Sequence, residues 1–123
     1  CMTTNELKLR TKNFSILIIN LVEKLPNSIA GKTIANQIIR SGTSIGANYR
    51  AVCRARSDRE FISKMNIVLE EADETMFWLE LIIDRKWFNE NEVLNLLDEG
   101  NQLSAIFVSS LKTVNARISN SKI

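Results

Sequence analysis

Apolar residues recur along most of this chain at intervals of three and four, the signature of amphipathic helices rather than strands. The first such stretch predicts a helix from about residue 5 to 25, with Leu7, Phe14, Leu17, Ile18, Leu21, Val22 and Leu25 as its core stripe. Pro26 ends it, because the residue before a proline resists the helical conformation. Asn27 or Ser28 caps a second helix over about 29–56, whose stripe is Ile34, Ile38, Ile45, Tyr49 and Val52. Ser57-Asp-Arg-Glu60 is a capping box that starts a third helix over about 58–86. Phe61, Met65, Val68, Ala72, Met76, Leu79, Ile82 and Ile83 form its inner face. A short connection, Trp87-Phe-Asn89, leads to a fourth helix over about 90–118, with Asn89 or Asn91 as its cap. Its inner positions are Val93, Leu96, Leu97, Gly100, Leu103, Phe107, Leu111, Val114 and Ile118, and residues 119–123 are expected to fray. Four helices with short connections predict an all-α, antiparallel up-down-up-down four-helix bundle in a single domain, with helices one and three on a diagonal.

The second helix departs from a plain core pattern. Gln37, Ser41, Ser44 and Asn48 follow one another at heptad spacing along one flank of the apolar stripe, a polar seam suited to fixing register. Gly42 and Gly46 sit inside the helix, where each costs about 1 kcal/mol relative to Ala. That cost predicts a notch for close approach of a neighbouring helix. Helices one and three also carry more hydrophobe than one core requires. Leu9, Ile16 and Ile19 cluster opposite the first stripe, and Ile67, Phe77, Trp78 and Leu81 lie away from the third. Patches of this kind on diagonal helices predict burial against another copy of the chain. Because the two patches differ, a head-to-tail contact closing into a ring is expected over a face-to-face dimer. The alternative is an irregular bundle that buries both faces itself.

Composition narrows the chemistry. The 123 residues hold no His, which removes the usual neutral-pH general base and the commonest metal ligand. Glu70, Glu71, Asp73 and Glu74 are therefore not read as a metal site or catalytic carboxylates, and Glu71 and Glu74, on the Trp78 side, are read as partners for Arg or for the Ser/Asn seam; no catalytic residue, metal or cofactor is expected. Cys1 and Cys53 make no disulfide framework; Cys53 reads as a half-buried inert thiol and Cys1, ahead of Met2, as an appended residue. Glu6, Lys8, Arg10 and Lys12 interrupt any signal-peptide pattern, and the apolar run Ile16–Ile19 is too short for a bilayer, so a cytoplasmic protein with no membrane partner is expected.

The net charge of +2 is small, but it is unevenly distributed. Residues 32–64 hold seven Lys/Arg against two Asp/Glu, and residues 65–99 hold two against ten. The basic set Lys32, Arg40, Arg50, Arg54, Arg56, Arg59 and Lys64 gathers on the second helix and the start of the third. Multiplied in an oligomer, it could neutralise many phosphates. No aromatic RNA-recognition signature accompanies it, so contact with RNA or DNA would be led by charge and shape. A solvated face, or an adaptor surface for a protein partner, is the competing reading.

Gln37-Ile-Ile-Arg-Ser-Gly-Thr-Ser-Ile-Gly-Ala-Asn48, Arg54-Ala-Arg-Ser-Asp-Arg-Glu-Phe61, Leu69-Glu-Glu-Ala-Asp-Glu74 and Trp78-Leu-Glu80 closely resemble the bacterial four-helix-bundle family that includes proteins encoded within intervening sequences of 23S rRNA genes. The chain is also similar to the accessory variability protein of diversity-generating retroelements. The likeness runs from about Phe14 to Arg117. Many relatives carry Glu where this chain has Ala51, so no role for an acid carries over there. The resemblance implies a left-handed bundle assembling as a homopentameric ring. It also implies, from the retroelement relatives, binding to nucleic acid and to a reverse transcriptase.

Overall fold

The structure, a computed structural model, describes residues 2–87 and 90–121. Its elements are four helices, α1 (Thr4–Val22), α2 (Ile29–Cys53), α3 (Asp58–Arg85) and α4 (Glu90–Ser121). Three start on capping hydroxyls: Thr3, Ser28 and Ser57 accept the backbone N–H groups of Glu6, Gly31 and Glu60 at 3.0–3.1 Å. The Thr3 cap starts α1 one residue earlier than its apolar pattern suggests. The fourth cap, expected at Asn89 or Asn91, and the connection through Phe88 fall partly outside the described residues.

The ends differ more than the beginnings. α1 stops at Val22, not Leu25, because Lys24 and Leu25 donate to Leu21 and Val22 three residues back, tightening the chain into a turn before Pro26. α2 stops at Cys53, not Arg56, for the same reason: Arg54 and Ala55 bond to Ala51 and Val52. This frees Ser57 to take the extended conformation a cap requires. α3 closes on Lys86 in the left-handed region, φ 53°. α4 continues to Ser121, so the expected fraying does not begin at Ser119.

Contacts of known register establish the topology. Gly42 meets Ile18 and Gly46 meets Thr11, so α1 and α2 run antiparallel. Gly100 meets Met76 while Arg117 pairs with Asp58, so α3 and α4 do too. Arg10 pairs with Glu99 and Lys24 with Glu92 across the α1–α4 seam. Each helix packs on its two neighbours, giving an up-down-up-down four-helix bundle with α1 diagonal to α3.

Phe14, Ile18, Leu21, Ile38, Ile45, Leu79, Leu103 and Phe107 are fully enclosed, and Tyr49 stacks on Phe107 at 5.7 Å across the core. Leu17, expected inside, is 47% exposed. It lies off the stripe, and the inner position falls to Thr11, whose hydroxyl is satisfied by the Leu7 carbonyl at 2.8 Å. A Cβ on Gly42 would lie 2.9 Å from two carbons of Ile18, and one on Gly46 would lie 3.3 Å from the Thr11 carbonyl oxygen. Both glycines are thus packing notches against α1. Cys53 is a free, half-buried thiol. Among the described residues, no helix is long and apolar enough to cross a membrane.

Candidate nucleic-acid interface

The basic residues expected to act together fall into separate groups. Arg40 reaches from α2 to α3, where its guanidinium pairs with Glu71 at 3.0 Å and with Glu74. The hydrogen bond that Arg40 donates to Glu74 raises the Arg40 pKa above its ordinary value, and the same bond holds the Glu74 carboxyl below the usual range. Glu74 also accepts the indole N–H of Trp78 at 3.3 Å. Glu71 and Glu74 therefore serve as Arg partners, whereas Glu70 and Asp73 form no ion pair among the described residues. Lys64 pairs with Glu60 one turn earlier on its own helix.

Lys32, Arg50, Arg54, Arg56 and Arg59 form no ion pair among the described residues. They are not one patch. Lys32 lies eighteen residues before Arg50 on α2, which at 1.5 Å per residue is about 27 Å. Arg56 lines a hollow at the α2–α3 turn with Thr4, Tyr49, Cys53 and Asp58. An acid already occupies that hollow: Asp58 is held by Arg117 at 2.8 Å, and that hydrogen bond keeps its carboxyl below the ordinary range.

Arg50 and Arg54 instead line a groove of about 350 Å³ between α1 and α2. Lys8 and Lys12 of α1 form its opposite wall, and Ser15, Gly46 and Ala47 complete the lining. The groove exists because Gly46 lets the two helices close on each other while small neighbours leave the surface concave. Lys8 and Lys12, like Arg50 and Arg54, form no ion pair among the described residues. Sequence reasoning missed both lysines. Their signal was present: Lys8/Lys12 and Arg50/Arg54 have the same i,i+4 spacing, and the Gly46 notch marks which face of α2 meets α1.

The polar seam is divided as well. Asn48 and Ser44 bond to carbonyls of their own helix, whereas Ser41 reaches α3, at Thr75. Of the apolar candidates, Leu9, Ile16 and Ile19 on α1 and Ile67 and Phe77 on α3 are exposed. Trp78 and Leu81 are half-buried against the core, with Phe77 edge-on to Trp78 at 5.1 Å.

The family model described as 23S rRNA-intervening sequence protein matches residues 4–109. No curated protein matches this chain. Among solved structures, the chain is similar to a protein of unknown function from the S23 ribosomal protein family of Bacteroides thetaiotaomicron VPI-5482. The two are 36% identical, with 86% of this chain and 98% of that one covered and a TM-score of 0.80.

Proposed function

The chain belongs to the 23S rRNA-intervening sequence protein family, and from that premise we propose that it is a non-enzymatic, oligomeric accessory protein that binds nucleic acid through its phosphate backbone. The observation that carries this reading is the convergence of Lys8, Lys12, Arg50 and Arg54 on one concave surface without carboxylate partners among the described residues. Unpaired cations that face a groove gain by displacing counterions from a polyanion. The commitment of Glu71 and Glu74 to Arg40 supports the non-enzymatic part, since neither is left to act on a substrate.

Exposed Leu9, Ile16 and Ile19 on α1 and Ile67 and Phe77 on α3 support assembly of copies head to tail. The subunit number of five rests on the family resemblance, and a cytoplasmic location belongs to the same reading. Titration of the purified protein with RNA and with DNA at two salt concentrations tests the proposal. Binding that weakens steeply with salt is the expected result. A protein that binds neither would instead be an adaptor whose ring displays a surface to a protein partner, a reading favoured by the exposed Phe77 beside Trp78.

A further inference from the structure

We propose that the α1–α2 groove is a binding site for a linear run of two or more phosphates, gripped from both walls by Lys8, Lys12, Arg50 and Arg54. This deepens the nucleic-acid reading, since a sugar–phosphate strand is one source of such a run; inorganic polyphosphate is the other.

The helix register sets the arrangement. Gly42 against Ile18 and Gly46 against Thr11 bring Lys8 level with Arg50. Lys12 then lies about one turn to one side of that pair and Arg54 about one turn to the other. With a turn rising about 5.4 Å, the cations occupy three successive levels spanning roughly 12 Å. A single orthophosphate can meet only one level, whereas a linear chain meets all three. Arginine at two of the four positions suits phosphate, because its planar fork can donate two parallel bonds.

The lining decides what else can enter. Ser15, Gly46 and Ala47 are small, and the Ser15 hydroxyl already donates to the Thr11 carbonyl at 3.1 Å. Among the described residues no aromatic lines the groove, so it lacks the platform on which a base would stack. Phosphates face inward, bases stay outside, and recognition is independent of sequence.

The test measures binding of a fluorescent single-stranded oligonucleotide, and of inorganic tripolyphosphate by calorimetry, across a salt series. The variants are Lys8→Gln/Arg50→Gln, Lys12→Gln/Arg54→Gln and, as a comparison at the α2–α3 turn, Arg56→Gln/Arg59→Gln. Circular dichroism checks that each remains helical. Each phosphate contact contributes about 0.7 to the log–log salt slope on a single strand, so either groove variant should lose roughly 1.4 units per engaged subunit. The Arg56/Arg59 variant should keep the wild-type slope, and tripolyphosphate should outcompete orthophosphate. If the groove variants keep the wild-type slope and the Arg56/Arg59 variant loses it, the site is wrong while the nucleic-acid reading stands. If tripolyphosphate binds in the groove but oligonucleotide does not, the site stands and the nucleic-acid reading fails. Binding of neither overturns both.

Discussion

The hydroxyls of Ser41 on α2 and Thr75 on α3 lie 2.9 Å apart, and both side chains are completely buried. Each has one proton. Thr75 is also 2.7 Å from the Glu71 carbonyl oxygen, so a consistent chain runs from Ser41 to Thr75 to that carbonyl. The Ser41 hydroxyl has only a longer alternative, the Ile38 carbonyl at 3.4 Å. Replacing Thr75 by Val therefore leaves the buried Ser41 hydroxyl only that longer bond, and Thr75→Val should cost about 1–3 kcal/mol. Ser41→Ala leaves Thr75 satisfied and should cost less. The double variant should be no less stable than Thr75→Val alone. Urea midpoints of the three proteins check this; a double variant that loses the sum of the two single costs would contradict the shared chain.

Two buried glycines should answer differently to the same substitution. At Gly42 the new methyl meets Ile18, a β-branched core side chain that cannot move away, at 2.9 Å. Overpacking of that kind costs typically about 1–3 kcal/mol and outweighs the gain of about 1 kcal/mol in helix propensity. At Gly100 the methyl would overlap the terminal Cε of Met76, a flexible end that can swing aside. Gly42→Ala should therefore lower thermal stability, and Gly100→Ala should lower it less or raise it. Scanning calorimetry on both variants gives the order.

The bundle was legible in the sequence because its information is local. Phe14, Ile18 and Leu21 share a stripe, Ser28 and Ser57 are caps, and Gly42 and Gly46 announce a notch, all within a few turns of chain. The basic surface was less legible because it depends on partners far away in sequence. Arg40 looks like its neighbours until Glu71 and Glu74, 31 and 34 residues later, are brought beside it. Lys8 and Lys12 read as ordinary surface lysines until α1 is set against α2. Trp78 shows a further limit, since its helical angle points off the stripe while its bulk still reaches the core.

Acid should weaken the α2–α3 and α3–α4 pairings in a predictable direction. Arg40 holds Glu74, and Arg117 holds Asp58, below their ordinary pKa values. The folded state therefore binds fewer protons than the unfolded chain in the carboxylate range. The stability from these pairs is fully present above the unfolded values and is lost as pH falls through the lower, folded ones. Urea midpoints should fall as pH drops from neutrality through that range, with a shallower fall in Arg40→Gln and Arg117→Gln. Both pairs are exposed, so added salt should reduce the difference. Variants that track the wild type at low salt would show that these pairs do not contribute.

Assembly through the exposed apolar faces can be separated from folding by choosing between two adjacent aromatics on α3. Phe77 is 51% exposed, whereas Trp78 is half-buried, packed on the core and hydrogen-bonded to Glu74. A covered aromatic side chain buries on the order of 150–250 Å², and aromatic anchors often dominate interfaces. If Phe77 and Ile67 dock on Leu9, Ile16 and Ile19 of the next copy, Phe77→Glu places a charge in that contact without disturbing the monomer core. The expected product is a monomer with wild-type helical content. Leu9→Glu on the opposite face should give the same monomer. Mixing has a more informative result: each variant retains one intact face, so one intact Phe77 face can meet one intact Leu9 face, and the mixture should form a heterodimer but no closed ring. Trp78→Glu, by contrast, should lower the melting temperature of the bundle itself. Analytical ultracentrifugation with circular dichroism distinguishes these cases, and an oligomer unchanged by Phe77→Glu would remove this face from the assembly.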